Sequence, residues 1–152
     1  MSRPTRLSDL LAEARSLSGD FDQLSQVVAE EVGLTATELL AMDLISRQSG
    51  VTAGTLACEL HLTTGAITGL IDRLELAGFA RRSADPADRR RVIVAATAKE
   101  RRIGELYGPL ATALPRAVEG YPEKDLAALT EFIRRIRAAV ANTTEGIRRD
   151  HT

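Results

Sequence analysis

Residues 63–97, TTGAITGLIDRLELAGFARRSADPADRRRVIVAAT, change hydrophobic period halfway along, and that change decides the fold. Up to Leu76 the apolar residues Ile67, Leu70, Ile71 and Leu74 follow the i, i+3, i+4, i+7 spacing of one helix face. Thr63 or Thr64 can cap the exposed amides at the start, and Gly78 suits the stop because glycine takes positive φ without a steric penalty. The opposite face carries Thr64, Gly65, Thr68, Gly69, Asp72 and Arg73. Beyond Gly78, residues 79–83 and 92–96 are β-compatible, and the ADPADRRR tract between them has the Asp, Pro and charge content of a turn. The spacing predicts a helix followed directly by a β-hairpin.

Working outward, residues 51–62 read as a short helix that begins near Thr52, with Leu56, Ala57 and Leu60 inward and His61 and Leu62 in the turn. Two short helices in tandem, the second small and hydroxyl-rich on its outer face, make a helix-turn-helix. Upstream, Leu7, Leu10, Ala14, Leu17, Phe21, Leu24 and Val28 alternate steps of three and four, which predicts a first helix over about 7–30. Thr35 and Glu38 form a T-x-x-E capping box for a second helix, which carries Leu39, Leu40, Met42, Leu44 and Ile45 as far as Gly50. Thr97 and Glu100 repeat the box for a further helix, which Pro109 and Pro115 should kink or divide. Pro122 suits the first position of a last helix bearing Leu126, Leu129, Ile133, Ile136 and Val140, and the polar tail from Asn142 should fray. The expected fold is mainly α with a small β-hairpin wing. A winged helix-turn-helix lobe at 34–97 lies between an N-terminal dimerisation helix at 1–33 and C-terminal dimerisation helices at 98–152.

Composition removes whole classes of function. The 152 residues are 44% hydrophobic and 27% charged, ordinary for one folded domain and too apolar for a disordered chain. Aromatics are 3% and Trp is absent, so burial falls to aliphatic side chains that pack well between helices. No stretch approaches the roughly 18–20 apolar residues of a membrane span, and the amino terminus lacks a secretory h-region, so a cytoplasmic protein without membrane contact is expected. Cys58, His61 and His151 are too few for a disulfide or a structural metal site; neither metal nor cofactor is expected. P-loop, G-x-G-x-x-G, G-x-S-x-G and H-E-x-x-H motifs are all missing, which argues against an enzyme. Cys58 with His61 three residues on could form a reactive thiol; the plainer reading is a small buried hydrophobe of the scaffold.

The net charge of −1, 20 Lys and Arg against 21 Asp and Glu, names no partner, but its distribution does. From His61 to Arg102 nine basic residues face five acidic ones, a net of +4 that leaves −5 for the rest of the chain. Arginine concentrated on a helix-turn-helix and its hairpin is the footprint of a protein that binds a polyanion. Thr63, Thr64 and Thr68 can bond phosphates or base edges, Gly65 and Ala66 allow close approach to a major groove, and Arg73 would reach a phosphate or a guanine. At the hairpin tip Arg89, Arg90 and Arg91 suit the negative potential of a narrow minor groove, and Asp88 would fix Arg90 by accepting a hydrogen bond from it. The stripes of the terminal helices fit pairing within the chain or with a second copy. A homodimer would read a two-fold symmetric stretch of double-stranded DNA. Two other classes stay open here: a module whose basic wing grips an acidic protein surface, and an enzyme that uses Cys58.

The stretch TTGAITGLIDRLELAGFARR followed by DPADRRRVIVAAT resembles the recognition helix and wing of the MarR family of winged helix-turn-helix regulators, and the flanking helices agree in number and order. The resemblance implies a homodimer whose first and last two helices interlock and whose lobes sit on successive major grooves of a pseudo-palindromic operator. It implies groove or phosphate contacts for Thr63, Thr64 and Thr68, a contact late in the helix for Arg73, and a wing Arg90 oriented by Asp88. Many relatives carry Arg, Lys or another side chain where this chain has Gly69, so one base contact is missing. The family often senses small phenolic or lipophilic ligands, or oxidants. The oxidant-sensing subgroup's cysteine lies in the first helix, whereas Cys58 is on the third. The reading is a dimeric repressor of neighbouring genes, relieved by a small apolar or phenolic effector.

Overall fold

Three threonines set the starts of the helices that lead to the hairpin. In the computed structural model, which describes residues 3–48, 50–85 and 91–149, α1 (Arg3–Val32) is followed by α2 (Ala36–Arg47), a short strand β1 (Val51–Thr52), α3 (Ala53–Leu60) and α4 (Thr64–Leu76). Thr35 caps α2 in a complete capping box, with its hydroxyl accepting from the Glu38 N–H at 3.2 Å and the Glu38 carboxylate accepting from the Thr35 N–H at 2.8 Å. Thr52 and Thr63 accept from the third amides of α3 and α4, those of Thr55 and Ala66. The helix ends are equally specified. At the end of α4, Gly78 (φ 78°) donates to Glu75 O and Phe79 to Leu74 O, the Schellman pattern. His61 makes the same turn after α3 at φ 54°, with Leu62 donating to Ala57 O.

The remaining elements are β2 (Ala80–Ala84), β3 (Val92–Ala96), a 3-10 turn at Ala98–Glu100, α5 (Arg101–Ala117) and α6 (Glu123–Arg149). The chain forms two compact units, Met1–Gly108 and Pro109–Thr152. In the first, the antiparallel sheet has the order β1-β3-β2, with Val51 opposite Val94 and Arg82 also opposite Val94 from the other side. The core gathers the inner stripe of α4, with Ile67, Leu70, Ile71 and Leu74 at most 2% exposed, onto Met42 and Ile45 of α2, Leu56 of α3, and Phe79 and Val94 of the wing. Each such side chain contributes about 1.5–3 kcal/mol on burial, so α4 is held rigidly by its inner face while its outer face meets solvent. In the second unit α6 buries no residue, and Ile133 and Val140 are 56% and 60% exposed.

Several expectations change. The first helix begins at Arg3 rather than near residue 7. Val51 and Thr52 form an edge strand instead of opening a helix, because β3 offers them a pairing partner. α5 runs without a break through Pro109 and Pro115, although each proline removes one backbone donor. Pro122 stands just before α6, its carbonyl accepting from Asp125 and Leu126. The tail from Asn142 stays helical to Arg149, with Thr143 and Thr144 bonding back to Ala139 O and Val140 O and Arg149 paired to Glu145. Cys58 is exposed, not buried, since α3 turns Leu56 and Leu60 inward and Cys58 away. Among the described residues no helix is long and apolar enough to cross a membrane, and no cluster of His, Cys, Asp or Glu is placed to hold a metal ion.

Candidate nucleic-acid interface

The outer face of α4 begins with three hydroxyls at its amino end. Thr63 and Thr64 are exposed at the cap and first position, and Thr68 is exposed one turn on, where its hydroxyl donates to Thr64 O at 2.9 Å. The Thr68 oxygen can still accept, and the free amides of the first turn lie beside it. Gly65 and Gly69 leave that surface low: an added Cβ at Gly65 meets nothing within 4 Å. Small residues, hydroxyls and the positive end of a helix dipole thus share one exposed end, as a phosphate or groove edge requires.

Arg73 lies on the same face, and the structure gives it a partner that the spacing did not reveal. Its Nε donates to Glu38 Oε1 at 2.5 Å, while the arginine side chain stays 61% exposed and the glutamate side chain 5%. Burial pushes the Glu38 carboxyl up, but the hydrogen bonds from Thr35 and Arg73 and the charge of Arg73 outweigh it and hold the group below the usual carboxylate range. The sequence signal for Glu38 was its place in the capping box; its link to Arg73 was not legible.

The wing is tied to α4 by a second ion-pair cluster. Arg82 of β2 bridges Asp72 (2.7 Å) and Glu75, and its backbone N–H also donates to Glu75 at 2.7 Å. The hydrogen bonds that the Arg82 guanidinium donates to Asp72 and then to Glu75 push its pKa further up, against a burial effect of opposite sign. Lys99 donates to Ala77 O at 2.7 Å and sits 4.4 Å from the centre of the Phe79 ring, closing the carboxyl end of α4. Thr97 caps the 3-10 turn by accepting from Lys99 N–H and donates its own proton to Gly78 O. Part of the basic footprint is therefore structural. Arg91 is exposed at the near end of the wing, 4.0 Å from Asp85, whose N–H bonds Arg91 O. Asp88, Arg89 and Arg90 lie outside the described residues.

An open cleft of about 1160 Å³ lies within the first unit, bounded by α1, α2 and the start of α5. Leu39, Leu40 and Met42 give it an apolar wall, and Ser25 and Tyr107, whose hydroxyls are 3.3 Å apart, give it a polar one.

The profile of the MarR family matches residues 34–92, α2 through the first residue of β3. An uncharacterised helix-turn-helix-type transcriptional regulator, YcgE of Bacillus subtilis strain 168, is 38% identical over 109 residues, 71% of each chain. Among solved structures, CouR of Rhodococcus jostii RHA1 bound to p-coumaroyl-CoA is 28% identical, with a TM-score of 0.58 over 86% of this chain and 93% of that one. Streptococcus pneumoniae FabT in complex with DNA is 21% identical, with a TM-score of 0.66 over 91% and 97%.

Proposed function

The chain belongs to the MarR family and is a DNA-binding transcriptional regulator rather than an enzyme; from that premise we propose that it acts as a homodimeric repressor of neighbouring genes, released by a small apolar or phenolic ligand. The observation that carries the DNA-reading part is the outer face of α4, hydroxyl-rich and low at its amino end and fixed from below by four fully buried aliphatic residues. On this reading Thr63, Thr64 and Thr68 contact phosphates or base edges in the major groove, Arg73 contacts the groove later in the helix, and Arg89, Arg90 and Arg91 follow the backbone or minor groove, with Asp88 orienting Arg90. The lobe at 34–97 reads DNA, and residues 1–33 and 98–152 pair the two copies.

Dimerisation is supported by apolar surface left without cover. Leu7, Leu10 and Leu17 of α1 are 43–54% exposed, and α6 carries Ile133, Val140 and Ile147 at 56–60%. Apolar stripes of this length on helices remain in water at a cost that a second copy removes. Release by a ligand is supported by the cleft beneath α2 and by the bound p-coumaroyl-CoA of CouR. The test is selection of duplexes from a randomised pool by the native protein, followed by footprinting. Enrichment of an inverted repeat with half-sites about 10 base pairs apart, bound by two chains, is expected; enrichment of a single unrepeated site, or of none, sinks the proposal.

A further inference from the structure

Among the described residues Glu38 is the one charged residue that is buried, 4% exposed, and its two oxygens serve two different helices. Oε2 accepts from Thr35 N–H, which completes the capping box of α2; Oε1 accepts from Arg73 Nε, which crosses to α4. The box alone does not call for a charge, since a glutamine makes the same bond. The carboxylate is explained by its second partner, because a buried anion persists where a cation and hydrogen bonds replace its lost water.

The way Arg73 is held matters. Glu38 grips Nε, the guanidinium nitrogen nearest the backbone, and a planar guanidinium held there has few orientations left. Nη1 then lies 3.6 Å from where a Cβ on Gly69 would stand, so the guanidinium leans back over the bare outer face of α4 toward the end bearing Thr64 and Thr68. We propose that Glu38 is a positioning residue for DNA reading: it holds Arg73 by Nε and presents the terminal nitrogens end-on, above Gly69, to a base edge. The arrangement turns a mobile side chain into a preorganised reader, with the ordering cost met on folding rather than on binding. This rests on the DNA-reading role of α4 set out above.

The test uses the full chain and two probes, a duplex enriched by the native protein and a scrambled duplex of the same length. Glu38→Gln keeps the bond to Thr35 and removes the charge; Arg73→Lys keeps the charge beside Glu38 and removes the fork. Thermal melts establish that each variant is folded. Each single change should lower the ratio of affinities for the two duplexes about tenfold, the worth of one well-placed arginine contact to a base. The double variant should be no worse than Arg73→Lys alone, because Glu38 acts through Arg73. Equal losses on both duplexes, an unchanged ratio in Glu38→Gln, or additive losses in the double variant would each overturn the proposal. Failure of the native protein to enrich any duplex is a separate result, and it removes the reading on which the proposal stands.

Discussion

Replacing Arg82 with glutamine separates the wing's part in the fold from its proposed part in DNA binding. Arg82 is 34% exposed and holds two carboxylates of α4, Asp72 at 60% and Glu75 at 31% exposure. Exposed ion pairs are worth about 0.2–1 kcal/mol each, so losing this cluster should cost about 1 kcal/mol, or about 2–4 °C in Tm for a chain of this size. The backbone bond from residue 82 to Glu75 survives and limits the loss. The effect on DNA is of another kind, since two carboxylates on α4, the proposed reading helix, lose their cation. A phosphate within roughly 7 Å of one of them is repelled by about 0.6–1.2 kcal/mol at effective dielectrics of 80–40, which weakens binding about three- to eightfold. The assay pairs thermal melts with fluorescence anisotropy at low salt and at 1 M salt, where the Debye length falls to about 3 Å and both deficits should shrink. A Tm deficit that persists undiminished at 1 M salt, or an unchanged affinity at low salt, would refute the electrostatic account.

Three further outcomes are expected. His61→Val places a β-branched residue at φ 54°, a left-handed conformation that histidine tolerates better than β-branched side chains do, so Tm should fall; an unchanged melt means the turn does not use that conformation. If the proposed dimer forms through α6, Ile133→Glu, at a 56% exposed position, should shift the mass in analytical ultracentrifugation toward that of one chain, and an unaltered dimer mass would remove α6 from the proposed interface. Because Glu38 has a lowered carboxyl pKa when folded, its contribution is complete above the ordinary carboxylate range and is lost as pH falls through the lowered value. Acid melts of Glu38→Gln should therefore lose less stability than those of the native chain over that window, and parallel losses would contradict this.

What the sequence disclosed was local chemistry. The stripe of α4, the Thr35 box and the Gly78 stop each depend on residues within a turn or two, and each stands where the spacing placed it. Contacts made far along the chain stayed hidden. Val51 reads equally well as the lip of a helix until Val94 provides a strand to pair with, and Glu38 reads as a cap until α4 brings Arg73 beside it. Cys58 was misjudged because residue-type burial is an average, whereas the face a residue takes on an eight-residue helix is decided by its neighbours. The arginines misled more gently: net charge counts Arg82 and Lys99 as free for a polyanion, and the structure commits both to holding α4 and the wing together.

The most direct test of the account is an anisotropy titration of the native protein against an enriched duplex and a scrambled one, repeated from about 50 to 200 mM salt. A protein that reads bases from α4 and phosphates from the wing should prefer the enriched duplex by about 10³-fold or more, and its affinity should fall linearly on logarithmic axes with rising salt. Equal affinity for the two duplexes, or binding indifferent to salt, would contradict it.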